Sequence, residues 1–161
     1  VDAEGVTRVE VSEGDGVKVT AQKQTKTVKP GQAVRVQPGK APEKPRELLP
    51  APEAVLPFPG SVLLTRAIQF HWKQVEGAVR YVLLISKDAG GLKPVRQLTT
   101  DKTSFLFRST LEPGKYFWLL RAVDSQGAVG RSSDSRFFQL KDQTSGVTVE
   151  SGSPKKGPTT P

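Results

Sequence analysis

Apolar residues recur at every second position along most of the chain. In the first forty residues the alternation is carried by valine: Val9/Val11 in TRVEV, Val17/Val19 in GVKVT and Val34/Val36 in QAVRV. Glycine or proline turns at 13–16, 30–31 and 38–39 separate the runs. Alternating β-branched residues bounded by turn residues predict short strands with one wet face. Hardly any of these forty residues is large. The segment therefore cannot bury enough apolar area alone, and should complete a sheet begun upstream or pack on the residues after it.

The alternation stops at residues 41–59, APEKPRELLPAPEAVLPFP, which hold six prolines. Proline fixes φ and removes a backbone donor, so neither a helix nor a central strand is predicted here. The segment reads as an extended, semi-rigid interdomain spacer rather than a docking motif for a proline-binding groove.

From residue 60 to about 142 the runs lengthen and turn aromatic, taking in both tryptophans, both tyrosines and six of seven phenylalanines. Strands are predicted at 62–64, 67–72, 80–86, 95–99, 103–109, 115–123 and 136–140, with turns at 75–78, 89–91, 112–114 and 124–127. No stretch keeps a 3.6-residue apolar period long enough for a helix. The fold class is all-β, a seven-stranded antiparallel sandwich. Parity places Trp72, Tyr81, Leu83, Ile85, Tyr116, Trp118, Leu120 and Ala122 between the sheets. Cutting Trp72 or Trp118 to alanine should cost about 3–5 kcal/mol. An outward aromatic pair would instead form a sugar-stacking platform, which the parity disfavours. The tail, 143–161, is rich in Ser, Thr, Gly and Pro and reads as disordered.

The composition excludes several chemistries. The 161 residues contain no cysteine and a single histidine, His71, so there is no disulfide framework, thiolate zinc site or cysteine nucleophile. On a strand His71 points opposite to Trp72, toward solvent or the sheet edge. The carboxylates that could pair for glycoside chemistry, Asp88, Asp101, Asp124 and Asp134, all fall at turns, where Asp caps backbone amides. No phosphate loop or nucleophile elbow is present. The reading is a protein that is not an enzyme and takes no cofactor or metal.

Net charge is +8, and the excess lies on residues 61–142, with 13 basic against 7 acidic groups. These cations are scattered singly, without the clustering and interleaved exposed aromatics of a nucleic-acid surface. No apolar run is long enough to span a bilayer. The start at Val1, without methionine or a signal-peptide pattern, reads as a piece of a longer chain.

The stretch FHWKQVEGAVRYVLLISKD, then TSFLF, then LEPGKYFWLLRAVDSQGAVGRSSDSRFF, resembles fibronectin type III and related immunoglobulin-like modules. The matching positions are Trp72, Tyr81, Leu111 followed by Pro113-Gly114, Tyr116 through Ala122, and the closing Gly127, Gly130 and Ser132-Ser133. The resemblance implies that Leu111 joins the core, and it is nearly silent on function. Residues 5–36, with the turn Pro30-Gly31-Gln32-Ala33, resemble the last strands of a FecR-type domain, most of which would lie before Val1. The two resemblances together imply a non-catalytic interaction or scaffold module of a bacterial cell-envelope protein. They also imply a periplasmic or surface location and a protein or cell-wall glycan partner, with no membrane span and a monomeric state. The alternative is an electrostatic binder of polyanions, nucleic acid or an anionic envelope polymer, through the basic sandwich surface. A purely mechanical spacer is a third reading.

Overall fold

A computed structural model describes residues 4–142. The described residues form fourteen strands, and no helix occurs among them. Four belong to the valine-rich start: β1 (Thr7–Val11), β2 (Val17–Ala21), β3 (Gln24–Val28) and β4 (Gln32–Val36). β1 pairs antiparallel with β4, and β2 with β3. Their inward valines, Val11, Val28 and Val34, are buried together, with Val9 and Val19 packed against them. The two-residue β2–β3 turn puts Gln22 and Lys23 at φ 49° and 60°. Two left-handed residues suit the twist of a hairpin, and neither position has the usual glycine or asparagine.

The proline-rich stretch departs from the spacer expected of it. It carries two short strands, β5 (Arg46–Glu47) and β6 (Ala54–Leu56). β5 adds to β4, and β6 adds to the edge of the next strand pair, opposite Trp72 and His71. Proline tolerates an edge, because its missing donor there faces away from the ladder. The prolines flank these strands and do not interrupt them.

The remaining strands are β7 (Ser61–Leu63), β8 (Ala67–Trp72), β9 (Ala78–Ser86), β10 (Pro94–Thr100), β11 (Ser104–Arg108), β12 (Gly114–Asp124), β13 (Val129–Ser132) and β14 (Arg136–Leu140). One sheet has the order β11-β8-β6. The other runs β10-β9-β12-β14-β7, with β13 also paired to β12. The first strand of the sandwich is thus broken. β6 lies in the small sheet, and after the cis Leu56–Pro57 bond β7 joins the large sheet parallel to β14. The last strand is broken as well, into β13 and β14. The sandwich therefore has nine strand segments where alternation predicts seven, because a three-residue edge strand and the glycine-containing β13 give no period-two signal.

Between the sheets lie Ile68, Phe70 and Trp72 of β8, Tyr81, Leu83 and Ile85 of β9, Tyr116, Trp118, Leu120 and Ala122 of β12, and Phe138 and Leu140 of β14. Phe70 meets Trp118 edge-on at 5.0 Å between ring centres, and Trp72 meets Tyr81 at 5.4 Å. Such T-shaped pairs add to area burial because the ring edge is positive and the face negative.

Candidate functional site

The nine residues singled out from the sequence, Trp72, Tyr81, Leu83, Ile85, Leu111, Tyr116, Trp118, Leu120 and Ala122, are all buried, none more than 6 % exposed. Two carry polar atoms with internal partners. Tyr116 donates from its hydroxyl to the Glu112 carbonyl at 2.8 Å, and the Val75 amide donates to the Tyr81 hydroxyl at 2.9 Å. The first bond ties the opening of β12 to the loop before it, the geometry of a tyrosine corner. Neither indole N–H has a hydrogen-bond partner among the described residues. The rings are spent on the core, and neither tryptophan lines an open groove.

His71 is exposed on the outer side of β8, opposite Ser104 of β11. Among the described residues no group of three or more His, Asp or Glu is placed to hold a metal ion. The four turn carboxylates do not converge. Asp101 and Asp134 are exposed. Asp88 follows the end of β9 and organises the turn into β10, accepting from the Leu92 amide at 2.9 Å and the Lys93 amide at 2.5 Å. Those bonds, the Leu92 amide foremost, hold its carboxyl below the usual range. Asp124 ends β12 and pairs with Ala78 at the start of β9, so it sits at the opposite pole of the sheet from Asp88.

Asp124 does more than cap a turn. Its Oδ1 accepts from the Gln126 and Ala128 amides, both at 2.9 Å, and its Oδ2 accepts from the guanidinium of Arg46 on β5. Burial pushes this carboxyl up, but the Arg46 bond and the two amides outweigh burial and leave it below the usual range.

Around this pair the β12–β13 turn is clasped by the N-terminal strands. Arg8 Nε of β1 donates to the Gln126 carbonyl at 2.7 Å, and Glu10 accepts from the Val129 amide at 3.0 Å. The Arg131 amide donates to the Leu49 carbonyl at 3.0 Å, and the Leu48 amide to the Gly31 carbonyl at 2.7 Å. Ala33, Leu48 and Ala128 form a small buried apolar cluster at the same place. The small side chains at 33 and 128 let the backbones approach. The turn that closes β12 and β13, which would be an open loop in an isolated sandwich, is here part of a joint.

Beside the joint lies a cleft of about 440 Å³ lined by Arg8, Arg35, Val79, Arg80, Asp124 and the turn residues 125–127. Its arginines were not legible as a group in the sequence. Arg8 and Arg35 meet only because β1 and β4 pair in a register that sets their Cα atoms directly opposite each other. Reading TRVEV against QAVRV as a strand pair is the signal that would have found them.

The division of strands into β11-β8-β6 against β10-β9-β12-β14, joined by a tyrosine corner, is that of one module type. The sandwich is fibronectin type III-like in fold. Three solved structures similar to part of this chain are the following. An Fn3-like protein from Clostridium thermocellum is 18% identical with a TM-score of 0.43, the match covering 59% of this chain and 93% of that one. A fibronectin(III)-like module of Clostridium thermocellum CbhA is 12% identical with a TM-score of 0.41, over 56% of this chain and 96% of that one. The fibronectin type-III domain of human fibronectin type III domain containing protein 3 is 19% identical with a TM-score of 0.44, over 66% of this chain and 96% of that one. No protein-family profile matches the sequence, and no curated protein matches it.

Proposed function

We propose that this chain is a non-catalytic interaction and scaffold module of a bacterial cell-envelope protein, exposed in the periplasm or at the surface. In this reading β1 to β4 are the end of a FecR-type unit, and the sandwich presents its sheet faces and free edges to a protein or glycan partner. The observation that carries the reading is the joint at Asp124. A carboxylate, a buried apolar cluster and several backbone bonds fix the sandwich to the unit before it, and such an arrangement holds a binding surface at a set angle. The tryptophan and tyrosine rings lie between the sheets, while Phe58 is exposed and Phe117 and Phe137 form a half-buried pair outside that core. No helix among the described residues is long and apolar enough to cross a membrane.

The test is fractionation of cells expressing the full-length protein, paired with capture of envelope proteins and sacculus fragments on the purified chain. Recovery in the envelope with a retained protein or glycan supports the reading. Exclusive recovery in the cytosol with nothing retained overturns it.

A further inference from the structure

We infer that the groove where the first strand of the sandwich crosses between sheets is a docking site for this chain's own Val147–Val149, added as a short strand on the open edge of β8. The inference is independent of the envelope reading, since it concerns how the chain closes its own edge.

β6 pairs with β8 only at Trp72 and His71, and after Pro57 the chain passes to the other sheet as β7. The crossing leaves an apolar groove of about 250 Å³ whose walls include Leu56, Leu63, Ile68 and Phe58, the last 64% exposed. The polar side chains in that wall are engaged. Ser61 donates to the Phe58 carbonyl at 2.8 Å, and the Gln69 side chain donates to the Phe70 carbonyl at 3.1 Å. The backbone edge is less well served. The Trp72 amide and the Arg66 carbonyl bond toward the β11 side, whereas the Lys73 amide bonds toward β6. Odd-numbered residues of β8 therefore turn their N–H and C=O groups to the groove side. The Ala67 amide takes Thr65 Oγ1 at 3.1 Å, and no described strand pairs with Gln69 on this side. An apolar groove beside an open ladder position is a seat for an added strand.

The described chain ends beside this groove. Leu140 of β14 stands opposite Leu63, and the Lys141 amide donates to the Leu63 carbonyl at 3.0 Å. Asp142 accepts at 3.0 Å from Arg66, the residue before β8. Residues 143–161, read as disordered from their composition, lie outside the described residues. Their branched apolar side chains are Val147 and Val149. Gln69 lies about 10 Å along β8 from Arg66, and the chain from Asp142 to Val147 spans up to about 17 Å, enough to turn at Ser145-Gly146 and reach it. Parity decides the register. In a parallel bridge through Gln69, the two residues flanking the opposite one supply the carbonyl and the amide, and the opposite residue shares the outward face of Gln69. That residue must be polar and its neighbours apolar, because Ile68 and Phe70 beside Gln69 belong to the core. Val147-Thr148-Val149 meets this order with Thr148 opposite Gln69, which puts the two valines in the groove.

The test is NMR of the whole chain, isotope-labelled. Nuclear Overhauser contacts from the Val147 and Val149 methyls to Ile68 and Leu63 are expected, with slow hydrogen exchange at the Gln69 amide. Val147→Asp and Val149→Asp should each speed that exchange about tenfold or more, while Thr148→Lys should leave it within about twofold. Thermal midpoints of the three variants provide the folding control, and if one valine variant misfolds the other decides the matter. Absence of the methyl contacts overturns the proposal, as does unchanged Gln69 exchange in the valine variants or an equal effect of Thr148→Lys. Contacts found only between labelled and unlabelled chains in a mixed sample also overturn it, and assign the groove to a second copy. None of these outcomes bears on where the protein resides, so this inference and the envelope reading fall separately.

Discussion

Arg46 and Asp124, 78 positions apart, form an ion pair that joins the two-residue strand β5 to the end of β12. The aspartate side chain is 11% exposed and the arginine 32%. Removing the acid leaves the Gln126 and Ala128 amides and the guanidinium without their acceptor, whereas removing the base leaves a carboxylate that keeps two amides. Asp124→Ala should therefore cost about 2–4 kcal/mol and Arg46→Ala about 1–2 kcal/mol, the smaller figure reflecting solvent screening. Urea denaturation of both variants and the double mutant measures the pair, and equal effects of the two single changes would contradict this account.

The same carboxylate makes the joint acid-sensitive. Its folded pKa lies below its unfolded one, near the ordinary aspartate value of about 3.9. The stabilisation is thus fully present above that value and is lost as pH falls through the lower, folded pKa. Asp88 has the same sign. Stability should hold from neutral pH to about 5 and drop below about 4, with a shallower drop in Asp124→Ala. Denaturation midpoints at pH 7, 5, 4 and 3 provide the comparison.

Gly130 is where β13 passes the proline-rich stretch. A Cβ there would lie 2.7 Å from the Leu49 carbonyl oxygen and 3.1 Å from that of Ala122. Both neighbours are backbone and cannot rotate away. Gly130→Ala should destabilise by about 1–3 kcal/mol. It should also raise amide hydrogen exchange at Arg131, whose N–H bonds Leu49.

Tyr116→Phe isolates one hydrogen bond. The ring stays stacked on Phe138, 5.8 Å between centres, while the bond to the Glu112 carbonyl is lost. A cost of about 1–1.5 kcal/mol is expected, without change in secondary structure by circular dichroism.

The sandwich was legible because its long strands obey one rule. β8 alternates strictly between buried and exposed positions, and β9 and β12 bury every second residue from Tyr81 to Ile85 and from Tyr116 to Ala122, so the positions of Trp72, Tyr81 and Trp118 follow from counting. β5, β6 and β13 escaped because they are only two to four residues long, and β5 and β6 are paired with strands beyond a tight turn. Leu48 and Ala54 are ordinary apolar residues among prolines, and only the partners Ala128 and Trp72 make them structural. Asp124 reads as a turn residue, which it is. That it also anchors another strand depends on a contact no local pattern encodes. The arginine cleft was hidden likewise, since Arg8 and Arg35 become neighbours through strand register and Arg80 through docking.

The parallel pairing of β7 with β14 joins only Ser61, Val62 and Leu63 to Phe138, Gln139 and Leu140. Tension that draws the start of β7 one way and the end of β14 the other loads those rungs together, in shear, rather than parting them one at a time. A short clamp of this kind resists stretching better than its length suggests, and whatever hangs from the two ends is kept at a fixed separation until the rungs give way at once.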